Sequence, residues 1–270
     1  MRASEWVAAA YFAYLCGVAF VRPRWPRRLP AAAAAFVATV ALSIPRLWHE
    51  SAVTTAARDW LPALYLVVGY WLSGWYYVAP MARIEARFLA LDQRILGSDS
   101  GSALVDALPR LVLELLEFAY VTCFLFVPGG LALLVAAGHR SEADRFWTLV
   151  LLSEFGSFAM LPWIQTRPPR VIEAPGAIDR RPLFMRRMNR LQVNTVSIGV
   201  NTFPSGHVAG ALAAAIAVAE VVPVWAPWLL AMVAAIAVAA VLGRYHFFID
   251  AVAGVVLTLV AWVVVRALWP

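Results

Sequence analysis

Lysine is absent from this chain of 270 residues: all 22 of its basic side chains are arginine. Genomic base composition accounts for much of such a bias, but it leaves guanidinium groups as the permanent cations of any site. Cysteine is almost missing too. Cys16 and Cys123 lie in separate apolar runs, with no Cys-x-x-Cys pair or Cys/His cluster to hold a metal, and read as small core residues. Charge of either sign is scarce, at 14% of residues against about 25% in a soluble domain. Apolar residues make up 63%, and the mean hydropathy is +0.75. This composition excludes an ordinary water-soluble domain and describes a protein that crosses a membrane several times. No repeat is visible beyond the alanine runs. The first apolar run, 7–21, lacks an Ala-x-Ala cleavage pattern and meets Arg22, Arg24, Arg27 and Arg28 directly, so it reads as a retained span.

Hydropathy predicts an all-α polytopic bundle of about six to eight spans: 6–21, 31–48, 60–80, 111–137, 146–164, 206–222, 225–242 and 247–267. Pro128-Gly129-Gly130 predicts a bend or split in the fourth. Tryptophan and tyrosine near span ends (Trp48, Trp60, Trp75, Tyr76, Tyr77, Trp147, Trp163, Trp225, Trp228) are expected at the membrane interfaces. Residues 81–110 begin with Ile84, Phe88, Leu91 and Ile95 set among Arg83, Glu85, Arg87, Asp92 and Arg94. That pattern predicts an amphipathic helix on the membrane surface. It links an N-terminal unit, 1–110, to a helical bundle, 111–270, expected to hold the catalytic residues. Residues 165–203 form the longest polar stretch, rich in arginine.

The chemistry concentrates late in the chain. His246 and Asp250 stand four apart, on one helical face, where a carboxylate can fix one imidazole nitrogen and free the other as nucleophile or base. Taken alone, such a pair is more often a satisfied interfacial contact. Pro204-Ser205-Gly206-His207 opens the sixth span. Ser205 is a natural N-cap, Gly206 leaves room for close approach, and the free N–H groups of the turn form an anion site. A chance Pro-Ser-Gly-His in a chain of this length is on the order of one in a thousand. The two histidines are separated by one out-and-back pair of spans, so both return to one membrane face. His207 is placed to give a proton to a leaving oxygen. Arg167 and Arg170 end the fifth span on that same face, and Arg244 lies two residues before His246. Their forked donors suit phosphate oxygens. The set points to phosphoryl transfer from a membrane lipid.

Other polar residues have blander readings. Arg180, Arg181, Arg186, Arg187 and Arg190 read as a solvated or head-group-facing cluster. Glu117 and Glu154 fall inside apolar runs, where charge is expensive, and are expected to be structural. His49 and His139 read as solvated loop residues. Arginine is more frequent in the loops of the site face than in those opposite (Arg2, Arg46, Arg58, Arg140, Arg145, Arg266). The positive-inside rule therefore expects the site at the cytoplasmic face, in a bacterial inner membrane.

With these residues in view, the chain resembles the type 2 phosphatidic acid phosphatase superfamily over roughly residues 160–265. The Pro-Ser-Gly-His motif is complete. Arg167-Pro168 fits the first motif, but Met160 stands where that motif has lysine. His246 and Asp250 fit the third, but Ala239 and Ala240 replace its Ser-Arg. Pro168-Pro169-Arg170 and the shortened third motif resemble most the branch of inositolphosphorylceramide and sphingomyelin synthases. The resemblance implies a metal-free, cofactor-free lipid phosphate phosphatase working through a phosphohistidine. His246 would be the nucleophile, Asp250 its orienting carboxylate and His207 the acid and base. Arg170, Arg167, Arg244, Ser205 and Gly206 would hold the phosphoryl oxygens. The implied partners are a lipid phosphate and the bilayer, with no nucleic acid. A phosphotransferase passing a head group such as phosphoinositol to an alcohol is the alternative. An anionic-lipid transporter, or an inert scaffold, is a more distant one.

Overall fold

The computed structural model describes residues 1–21, 26–44, 51–97 and 99–269. Arg22, Arg24, Arg46, Trp48 and His49, singled out above, lie outside them. The protein is all-α, 79% helical, with no strand among the described residues. Eight apolar helices correspond to the eight expected spans: α1 (Ala3–Val21), α2 (Leu29–Leu42), α3 (Ala52–Gly74), α6 (Arg110–Ala136), α7 (Ala143–Ala159), α11 (Gly206–Val221), α12 (Ala226–Leu242) and α13 (Phe248–Leu268). Among the described residues, four are long and apolar enough to cross a membrane by length and composition: Ala3–Val21, Arg110–Ala136, Pro223–Leu242 and Phe248–Leu268. The polar connections are helical as well. They form α4 (Ala82–Leu96), α5 (Ser102–Ala107), α8 (Pro169–Ile172), α9 (Ala177–Arg180) and α10 (Phe184–Val196).

The alanine-rich α11 is the axis of the bundle. It packs against α6, α7, α12 and α13 and is buried over most of its length. Small side chains let backbones approach closely where lipid, unlike water, gives no drive to hide apolar surface. The closest approach sits where the chemistry is. A β-carbon on Gly254 of α13 would lie 2.8 Å from the Ser205 carbonyl oxygen and 3.5 Å from the Ala209 nitrogen. The Thr258 hydroxyl, one turn on, donates to the Ala209 carbonyl at 3.0 Å and continues the seam.

Helices α1 and α3 both pack against α7. At the end away from the histidines, Asp144 accepts hydrogen bonds from the Ala3 and Ser4 amides, and Asp59 pairs with Arg2 and Arg140. Two of the expected interfacial aromatics belong to this packing instead. Trp147 is buried and donates to the Asp59 carbonyl at 2.7 Å; Tyr76 is buried and donates to the Leu15 carbonyl at 2.8 Å.

Three further expectations are corrected. Helix α6 is one helix through Pro128 rather than two pieces, and Phe146 and Ala214 pack close on Gly130 just beyond it. The amphipathic helix α4 does form, but part of it is buried against the bundle. Phe88 meets Phe203 and Phe247, and Asp92 accepts from the Phe248 amide at 3.0 Å. Burial pushes the Asp92 carboxyl up to about 7, against the opposing effect of that amide. Arg186 is buried rather than solvated, for reasons that belong to the site.

Candidate active site

Two helix starts, brought together, make the site. Ser205 caps α11, its hydroxyl accepting from the Val208 amide at 3.4 Å. Its own amide donates to the Asp250 carbonyl, in the first turn of α13, at 2.9 Å. That bond and the Gly254 seam bring the His207 and His246 rings within 5.6 Å, nearly perpendicular at 88°.

Asp250 is fully buried, and its Oδ2 is the hub for His246. It accepts from the Phe247 amide at 2.9 Å, from Asn201 Nδ2 at 2.9 Å and from His246 Nδ1 at 3.4 Å. With Nδ1 carrying the proton, Nε2 keeps its lone pair for the cavity. Burial first, and then the charge of Arg170, push the His246 imidazole down to about 3, so it is neutral at ordinary pH. Asn201 is the functional neighbour that motif reading missed. Its amide and side chain also bond Thr166, joining the loop after α7 to the loop before α11. A polar residue four positions before Ser205 was the available signal, a weak one without the fold.

Among the described residues no hydrogen bond holds the His207 ring. It packs edge-on against Tyr120 and Phe124, at 5.4 and 5.0 Å between centroids. Tyr120 stacks on Tyr245 at 4.0 Å. The Tyr245 hydroxyl donates to Glu117, whose carboxylate also accepts from Arg186 at 2.7 Å and Asn189 at 2.6 Å. Arg186 reaches on to Asp179 at 2.6 Å. Burial alone would raise Asp179, but Arg186, the Gly176 amide and Arg190 hold it down at about 2. This network explains why Arg186 is buried: it neutralises Glu117 and braces the aromatic pair beside His207.

The three candidate arginines part ways. Arg170 faces the same cavity as both histidines, with its guanidinium 5.5 Å from the Tyr245 ring centroid and no carboxylate in ion-pair reach among the described residues. Burial lowers its proton affinity, yet an arginine keeps its charge, so it is an uncompensated cation. Arg167 is turned away and clamps Glu85 through two forked bonds of 3.0 and 2.8 Å. Arg244 is committed to Glu173 at 3.1 Å, Asp179 at 3.3 Å and the Ala174 carbonyl at 2.8 Å. Its backbone has a φ of +61°, rare for a side chain of this size, and turns the chain out of α12 into Tyr245 and His246. The structure therefore brings together Arg170, Ser205, Gly206, His207, His246 and Asp250, and leaves the Arg167 and Arg244 side chains outside.

Below the histidines lies a cavity of about 390 Å³. His207, His246, Arg170 and Gly206 share its lining with the apolar Leu66, Val67, Val127 and Trp147. The stretch of α7 that borders it, from Phe158 to Trp147, covers about 16 Å at 1.5 Å per residue. One wall comes from α3. The shape suits a long apolar chain ending in an anion.

Among known proteins, the family model for the PAP2 superfamily matches residues 87–264, more than half of the chain. The match starts within α4 and takes in every residue of the assembled site. No curated protein and no solved structure matches the chain.

Proposed function

The chain belongs to the PAP2 superfamily, and on that premise we propose that it is an integral membrane phosphatase, metal-independent, that hydrolyses a lipid phosphate through a phosphohistidine. The observation that carries the reading is the pair of facing imidazoles beside an unpaired guanidinium, at the mouth of an apolar cavity. The lipid tail lies in the cavity and the phosphoryl group meets Arg170 and the first turn of α11. The phosphate monoester brings a proton that passes to His207; His246 Nε2 attacks phosphorus as the bond to the lipid oxygen breaks, and His207 gives that oxygen the proton. Asp250, steadied by Asn201, stabilises the charge that His246 acquires. His207, now neutral, takes a proton from water as the water oxygen attacks phosphorus and the N–P bond breaks. Phosphate leaves and both histidines return to their starting states.

Pro168-Pro169-Arg170 supports a placement nearest the inositolphosphorylceramide and sphingomyelin synthase branch. The arginine asymmetry of the loops supports a site at the cytoplasmic face of a bacterial inner membrane. The test is phosphate release by purified protein, with EDTA present, from phosphatidate, phosphatidylglycerophosphate and polyprenyl phosphates and diphosphates. Release that survives chelation and disappears in His246→Ala is expected. No release from any lipid would overturn the proposal, and a phosphorylated alcohol formed in place of free phosphate when an alcohol acceptor is added would replace hydrolysis with transfer.

A further inference from the structure

One acidic side chain in the cavity wall has no part in the chemistry above. Glu154, in the middle of α7, is 8% exposed and lines the cavity, and its carboxyl group has no hydrogen bond or ion pair among the described residues. Glu117, the other acid within an apolar run, is fully partnered. The chain has made room for Glu154. A β-carbon on Gly206 would lie 2.8 Å from its Oε2, and one on Gly210 would collide with its Oε1. Gly206 adjoins His207 and Gly210 is one turn deeper. The carboxyl group therefore lies beside the first turn of α11, on the membrane side of the imidazoles. A buried acid without partners is costly in an apolar setting, and it is retained where something else supplies the partner. Ionised, it would repel the phosphoryl group, whose charge has the same sign. It faces the place where the first carbons of the lipid must pass.

We infer that Glu154 accepts a hydrogen bond from a hydroxyl or amide N–H on the first few carbons of the lipid. The site then selects phosphate lipids that carry such a donor over those whose phosphate is followed by plain hydrocarbon. The inference rests on the lipid phosphate reading of this same site. Its strength comes from asymmetry: a lipid lacking the donor leaves a buried carboxyl unpaired, and sites of this kind reject such analogues strongly.

The test uses a matched pair of non-hydrolysable probes, a long-chain alkylphosphonate and its 2-hydroxy analogue of equal chain length. Binding to the purified full chain is followed by tryptophan fluorescence, since Trp71 and Trp147 line the cavity. The wild type should bind the hydroxy probe at least about tenfold more tightly. Glu154→Gln, which keeps an acceptor, should retain most of that ratio, and Glu154→Leu should bring it to about one. Equal binding of the two probes by the wild type overturns the inference whether or not the variants fold, and so does an unchanged ratio in Glu154→Leu. Phosphate release from the corresponding phosphates separates the two claims. Selective binding without release leaves this inference standing and sinks the phosphatase reading; release from both lipids with equal binding does the reverse.

Discussion

Replacing Arg170 and Arg167 separately, each by alanine, tests how the site holds its anion. Both belong to the first motif, and the structure assigns them opposite positions. Arg170 faces the cavity without a carboxylate partner, while Arg167 is spent on Glu85. A hydrogen bond to a charged group contributes about 1.5–3 kcal/mol, so losing a forked pair to the phosphoryl oxygens costs about 3–6 kcal/mol. That corresponds to roughly a 10²- to 10⁴-fold loss of kcat/KM. Arg170→Lys keeps the charge but not the fork, and should recover only part of it. Arg167→Ala should change kcat/KM by less than about threefold, as a substitution away from the site does. The assay is initial-rate phosphate release in detergent, with melting temperatures recorded for each variant. Equal losses for Arg167→Ala and Arg170→Ala, at unchanged stability, would refute the division of roles.

Three other outcomes follow from contacts already described. Asn201→Leu removes one of the three donors to Asp250 Oδ2 and should lower kcat by about 10- to 100-fold, with KM little changed; a pure KM effect would contradict an orienting role. Gly254→Ala forces a methyl group against the Ser205 carbonyl, a backbone atom that cannot swing aside; a stability loss of about 1–3 kcal/mol is expected by chemical denaturation, together with lost activity, and wild-type behaviour would show that the seam is loose. Asp179 is held at about 2 in the folded protein against an ordinary value near 3.9, so its contribution to stability is full above about pH 4 and disappears as pH falls through 2. Asp179→Asn should lower the melting temperature at pH 7 and narrow the gap between pH 7 and pH 3; an unchanged gap would remove Asp179 from the acid-sensitive set.

What could be read in the chain follows from the range of each interaction. Eight apolar runs give eight helices because hydropathy and length are local properties, and His207, His246 and Asp250 meet because a span has a fixed length. The same reasoning could not distinguish Arg167 from Arg170. Which guanidinium enters the cavity depends on Glu85, far away in sequence on α4, and on the Tyr245 ring. Arg186 looked like surface charge because its partners, Glu117 and Asp179, come from two other helices. Asn201 and Tyr120 carried no pattern of their own. The share of α3 in the cavity wall depends on how α3 docks on α7, which no local period records.

The central claim is that His246 Nε2 carries the phosphoryl group between lipid and water. Mixing the protein with a ³²P-labelled lipid phosphate it hydrolyses, quenching within the first turnover in alkali and mapping the label by peptide mass spectrometry tests it directly. The account predicts an acid-labile, base-stable phosphoryl group on the peptide containing His246, absent from His246→Ala and longer-lived in His207→Ala when an activated phosphate ester removes the need for an acid. Full turnover with no label on His246 at any time point would contradict it.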